Sequence, residues 1–131
     1  MIDVYVKEIL SLLELAVPAW HSGLTKKQSA DIERVQKVAV NVILSDHNGK
    51  CYLSYNMAMA ALELEPLYSR REQLCLSFAK KSLKSKHRDM FTVNRSQYYT
   101  RDRAQYVEAK CNTKRFYKSP INYLTRQLNN C

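Results

Sequence analysis

Apolar side chains recur at helical spacing from the start of the chain. Ile2, Tyr5, Val6, Ile9, Leu12, Leu13 and Ala16 fall on one face of a helix, with Asp3, Lys7, Ser11 and Glu14 opposite. The pattern predicts a helix over 2–16 that Pro18 ends, because a proline disfavours helical backbone in the residue before it. A second helix is predicted over 25–44. Thr25 and Gln28 have the spacing of a capping box, in which the hydroxyl satisfies a free amide and the amide side chain reaches back. Behind that cap, Ile32, Val35, Ala39, Val42 and Ile43 make a narrow apolar stripe, and Glu33 and Lys37 are expected to pair at i,i+4 on the outer side. Asp46-His47-Asn48-Gly49 reads as a turn.

A short helix is predicted over 54–62, capped by Ser54, with Met57, Ala58, Ala61 and Leu62 inside. Pro66 suits a first helical position. The helix after it runs to Lys84, turning Leu67, Leu74, Cys75 and Phe78 inward. From Lys86 to Arg115 the period fades into an extended or irregular stretch. Ser119-Pro120 then has the form of a cap followed by a first-turn proline, and Ile121, Leu124 and Leu128 make one last short helix. Only two glycines and three prolines occur in 131 residues, too few turn formers for a sandwich or barrel. The expected fold is all-α: a small bundle of about three to five helices with an irregular basic C-terminal arm. The expected division is a helical core over 1–85, a basic aromatic arm over 86–118, and a C-terminal helix over 119–131 packing on the core or forming a tail.

Charge changes this picture. The chain carries a net +9, distributed very unevenly. Residues 1–65 hold six Lys/Arg against eight Asp/Glu, a net of −2, while residues 66–131 hold fifteen against four, a net of +11. An anionic partner for the second half follows, nucleic acid first among the candidates; the bland alternative is a solvated basic surface. Between Lys86 and Arg126, ten Lys/Arg face three acids, and seven of the thirteen aromatic residues lie in the same span. Cations displace condensed counterions and rings stack on bases, so the interleaving suits nucleic acid. Phe116, Tyr117 and Tyr123, beside the last helix, are expected to pin the arm to the core. Tyr98 and Tyr99 are open to either role.

Catalytic chemistry finds little support. His21, His47, His87 and the four cysteines, Cys51, Cys75, Cys111 and Cys131, lack the closely spaced ligand pairs of a zinc site. Two isolated glycines cannot build a phosphate loop, and no nucleophile elbow occurs. Glu63 and Glu65 read as solvent-facing, and Asp102 lacks the apolar flanks of a buried metal-binding hairpin. Trp20 is expected to be a core anchor with His21 as its polar neighbour. No enzyme activity, cofactor or small-molecule substrate is therefore expected. No apolar run is long enough for a membrane span. No secretory signal is seen, so the cysteines read as reduced thiols and an intracellular setting, nuclear or cytoplasmic, is expected.

An ordered series of segments carries a resemblance. Leu15-Ala16-Val17-Pro18-Ala19-Trp20-His21-Ser22-Gly23-Leu24-Thr25 and Asp31-Ile32-Glu33-Arg34-Val35-Gln36-Lys37 are followed by Arg70-Arg71-Glu72-Gln73-Leu74-Cys75 and Phe78-Ala79-Lys80-Lys81. Arg115-Phe116-Tyr117-Lys118-Ser119-Pro120-Ile121 and Leu124-Thr125-Arg126-Gln127-Leu128-Asn129 complete it. The series resembles the region after the catalytic palm in reverse transcriptases of non-LTR (LINE-type, Jockey-like) retrotransposons. One departure is Lys37-Val38-Ala39, where the family has a second basic residue before the alanine. The resemblance implies a helical thumb and C-terminal tail that grips a primer–template duplex by its backbone, without the palm that holds the metal-binding aspartates. It implies non-catalytic binding of RNA or an RNA/DNA duplex. From the basic composition and this resemblance, the expected contact residues are Arg70, Arg71, Lys80, Lys81, Lys84, Tyr98, Tyr99, Arg101, Arg103, Lys114 and Arg115. The competing expectation is a protein-interaction or structural subunit recruited from a mobile-element fragment, docking through an exposed helical face. Because no ligand set for a metal is legible, a chelator is expected to leave the thermal unfolding midpoint unchanged; a large drop would overturn the metal-free reading.

Overall fold

The computed structural model describes residues 1–45, 49, 53–95 and 104–131. They are mostly helical and hold no strand, only an isolated antiparallel bridge between Val93 and Tyr106. Eight α-helical segments follow in order: α1 (Ile2–Val4), α2 (Ser11–Leu13), α3 (Val17–Trp20), α4 (Lys26–Leu44), α5 (Tyr55–Ala61), α6 (Leu67–Leu83), α7 (Lys114–Tyr117) and α8 (Pro120–Asn129). A π-helical run, Tyr5–Leu10, joins α1 to α2, and 3-10 turns occupy His21–Gly23 and Lys86–Met90. The contacts divide the chain into two compact units, one of residues 1–17 and 24–71, the other of residues 18–23 and 72–131.

In the first unit, the π run corrects the face expected of the first helix. Hydrogen bonds from i to i+5 widen the turn, so residues five apart come to one side. Tyr5 and Leu10 are buried, while Val6, Ile9 and Leu12 are left exposed. The helix also stops short of Pro18: α2 ends at Leu13, and Ala16 takes a left-handed conformation at φ 52°. The capping box at the head of α4 forms in full, with Thr25 Oγ1 accepting from the Gln28 amide at 3.2 Å and Gln28 Oε1 accepting from the Thr25 amide at 2.9 Å. Its buried line is rotated from the expected stripe. Gln36 and Val40 are buried and Ile32, Ala39 and Ile43 partly so, whereas Val35 and Val42 stand exposed.

Two apolar clusters hold this unit. Tyr5, Leu10 and Leu67 gather Leu13, Ile32, Ala39, Ile43 and Leu64; Val40, Ala58 and Met59 gather Leu44, Tyr55, Leu62 and again Leu64. Ser54 caps α5, accepting from the Met57 amide at 3.5 Å. Gln36 is fully enclosed and donates to the Glu65 carbonyl at 3.0 Å, which satisfies a backbone acceptor just before α6.

Glu33 does not pair with Lys37 as expected. Its carboxylate accepts from the Leu67 amide at 3.3 Å and the Tyr68 amide at 2.5 Å, so it caps the head of α6 across more than thirty residues of sequence. Lys37 lies 5.9 Å from the centre of the Tyr55 ring instead.

In the second unit, the buried positions of α6 are Cys75, Ala79 and Ser82, and those of α8 are Asn122, Leu124, Thr125 and Leu128. Phe78, expected inside, is 42% exposed. Trp20 is only partly buried; its neighbour His21 is the enclosed residue, meeting the Tyr123 ring edge-on at 5.5 Å. Phe91 and Tyr106 are buried in a second edge-on pair at 6.3 Å.

The Glu33 cap and the buried Tyr5 phenol each lead to a test. Glu33→Ala is expected to cost about 2–3 kcal/mol, combining a lost cap with loss of the carboxylate facing the buried Arg71, and Glu33→Gln less; chemical denaturation would measure both. Burial, then the charges of Tyr55, Glu33 and Glu14, push the Tyr5 phenol up to about 12 from its ordinary 10.0, against a smaller lowering effect from Arg70. The folded state therefore holds this proton more tightly than the unfolded chain does. Its stabilisation is full below about pH 10 and is lost as pH rises through about 12. Denaturant midpoints should fall over that window, and Tyr5→Phe should flatten the fall.

Candidate nucleic-acid interface

The expected contact residues separate into four groups, three of them among the described residues. Arg70 and Arg71 belong to the first unit and are engaged within it. Arg70 pairs with Glu14, whose hydrogen bond holds the guanidinium more firmly protonated. Arg71 is fully buried, donating from Nη2 to Ser29 Oγ at 2.8 Å and lying 3.8 Å from Glu33. Within this unit it shares the buried side of α6 with Leu67, one turn before it. A guanidinium with no exposed surface cannot touch a phosphate, so the structure corrects its assignment as a contact residue.

Lys80, Lys81 and Lys84 are exposed at the C-terminal end of α6, where cations also complement the negative end of the helix. Tyr98, Tyr99, Arg101 and Arg103 lie outside the described residues. What is described is the chain on either side of them. Val93 bridges Tyr106, the Asn94 amide donates to the Gln105 carbonyl at 2.9 Å, and the Val107 amide donates to the Thr92 carbonyl at 2.7 Å. Asn129 of α8 ties this pairing down through both its amide atoms: Oδ1 accepts from the Tyr106 amide at 2.9 Å, and Nδ2 donates to the Tyr106 carbonyl at 3.0 Å.

Lys114 and Arg115 lie on α7, and here the structure adds residues the sequence did not single out. Thr113 caps this short helix, accepting from the Phe116 amide at 3.2 Å. Lys118 follows one turn after Lys114. Together with Gly23, Phe116, Ser119 and Pro120 these residues line a cleft of about 710 Å³. No Asp or Glu lines it. All three cations are exposed, and among the described residues none is in an ion pair. Ser119 begins α8 without spending its hydroxyl on the cap.

The rings of α7 are not pinned to a core as expected. Phe116 is 46% exposed and Tyr117 50% exposed. The Tyr117 ring carries the Arg126 guanidinium 3.8 Å from its centre, and Arg126 is itself fixed by Glu108 and by the Tyr117 carbonyl at 2.8 Å. Only Tyr123, against His21, takes the packing role expected of all three. The signal that could have found Phe116 is its place between Arg115 and Lys118 in a segment too short to bury its own side chains.

The first unit carries a different surface. Met1, Val4, Ile9, Val35, Val38 and Val42 line an apolar groove of about 590 Å³ whose charged lining residues are Asp31 and Arg34. Among the described residues no three His, Cys, Asp or Glu side chains gather to hold a metal ion, and no helix is long and apolar enough to cross a membrane.

Comparison with known proteins adds no relative: no family model, no curated protein and no solved structure matches the chain.

The exposure of the α7 rings predicts their mutational cost. Phe116→Ala is expected to shift the thermal midpoint little, as a half-exposed side chain should, whereas Leu124→Ala, fully enclosed on α8, should cost about 2–5 kcal/mol. Calorimetry on the two variants would check the contrast.

Proposed function

We propose that the chain is a non-catalytic nucleic-acid-binding module, similar to the thumb and C-terminal region of a non-LTR retrotransposon reverse transcriptase, that holds RNA or an RNA/DNA duplex by its backbone. The observation that carries this reading is the segregation of charge between the two units. Residues 1–17 and 24–71 hold eight Lys/Arg against eight Asp/Glu, while residues 18–23 and 72–131 hold thirteen against four. The first unit is neutral and the second carries +9. Two exposed basic clusters of the second unit, Lys80-Lys81-Lys84 and Lys114-Arg115-Lys118, are free of acidic partners among the described residues. Charges held this way are available to displace counterions from phosphates. In this reading the helical core is a support and the basic arm over 86–118 adds contacts; neither performs chemistry.

A specific observation favours a second reading for the first unit. Its apolar groove leaves Val38 and Val42 more than half exposed, and an apolar surface rimmed by charge is the signature of a protein contact. A protein-interaction role, recruited from a mobile-element fragment, would use that face.

Salt dependence tests the first reading. With five or six phosphate contacts, log affinity should fall with log salt at a slope of about −0.9 per contact on duplex DNA, or about −0.7 on a single strand. Replacing Lys80 and Lys84 together by Ala should make that slope shallower by about two contacts' worth, with little change in sequence preference. Fluorescence anisotropy across a salt series is the measurement. An affinity indifferent to salt would remove nucleic acid as the partner and leave the protein-contact role.

A further inference from the structure

We propose that the cleft between the Gly23 turn and the α7–α8 corner is a binding site for one unpaired nucleotide, its phosphate held by Lys114, Arg115 and Lys118 and its base laid on Phe116. This inference rests on the nucleic-acid reading above and narrows it from a backbone in general to a single-stranded element at a particular place.

Three features of the cleft lead there. The first is size: about 710 Å³ falls in the range of small-ligand sites, ample for a nucleotide and far too small to enclose a duplex. The second is charge. Three cations line the cleft with no carboxylate among the lining residues, so an entering phosphate meets no repulsion and displaces no internal ion pair. The unspent Ser119 hydroxyl, also lining the cleft, is a further donor.

The third feature separates an unpaired nucleotide from a simple phosphate. Phe116 lines the same cleft and is half-exposed, so an apolar ring stands beside the cations in water. The neighbouring Tyr117 ring already carries the Arg126 guanidinium, whereas no such partner sits on Phe116 among the described residues. A phosphate alone gains nothing from a ring. A base stacked within its own duplex cannot reach one. An unpaired base gains stacking that tolerates any sequence, because every base has a π-face.

Gly23 provides a test that leaves the cations untouched. A side chain begun there meets nothing within 4 Å, so Gly23→Asp places a carboxylate at the lining without a clash, and Gly23→Asn has the same shape without charge. The full chain would be titrated by anisotropy with a blunt DNA duplex and with the same duplex carrying a short single-stranded overhang. The expected result is about tenfold tighter binding of the overhang by the wild-type protein. Phe116→Ala should remove that preference while leaving blunt-duplex binding within about twofold, Gly23→Asp should remove it by weakening overhang binding more than blunt-duplex binding, and Gly23→Asn should retain it. Circular dichroism melts confirm that the variants are folded. Equal binding of the two probes, or a preference that survives Gly23→Asp, overturns this site and leaves backbone binding elsewhere intact. Binding of neither probe overturns both.

Discussion

The carboxylate of Glu33 is the interaction on which much of the first unit depends. It closes the head of α6 by accepting two backbone amides, and it faces a guanidinium, Arg71, that has no access to water. A buried cation without such a neighbour would carry a desolvation cost of several kcal/mol. The cap and the buried cation therefore stand together. Glu33 and Ser29 lie one turn apart on α4, and Arg71 one turn into α6, so a single polar cluster sets where α6 begins and how it is rotated. That rotation turns Leu67 into the apolar cluster with Tyr5 and Leu10.

The same cluster explains why the charge pattern could not be read residue by residue. Arg70 and Arg71 stand at the start of the basic half, and by composition nothing distinguishes them from Lys80 or Lys114. Only the fold shows that both are engaged with acids of the neutral unit. Once they are assigned there, the imbalance sharpens: one unit is balanced and the other holds the whole excess.

Local chemistry was legible where it is self-contained. The capping box of Thr25 and Gln28, the Ser54 cap and the Ser119-Pro120 start all needed only neighbours in sequence, and all three begin helices where expected. Facing was less legible. An apolar stripe at helical spacing identified α4 as a helix but not which side of it would be covered, because Val35 and Val42 count as much as Val40 in a pattern. The π run in the first helix could not be seen at all, since a period of three and four fits its sequence equally well. Of the expected contact residues, Lys114 and Arg115 led to a cleft, but that Phe116 of α7 and Lys118 after it line the same cleft emerged only from the fold.

The π run also bears on how the chain can change length. A residue deleted from an ordinary helix swings everything beyond it by about 100° and carries the covered side out into solvent. Tyr5 and Leu10 are five apart and both inward only because the run is widened. Deleting one residue between them would leave them four apart, which is the same side of a regular α-helix. This segment can therefore shed a residue and keep its covered side, an allowance that no other helix among the described residues has. In a lineage of such chains, the turn between Tyr5 and Leu10 is where a single-codon deletion would be silent in the fold.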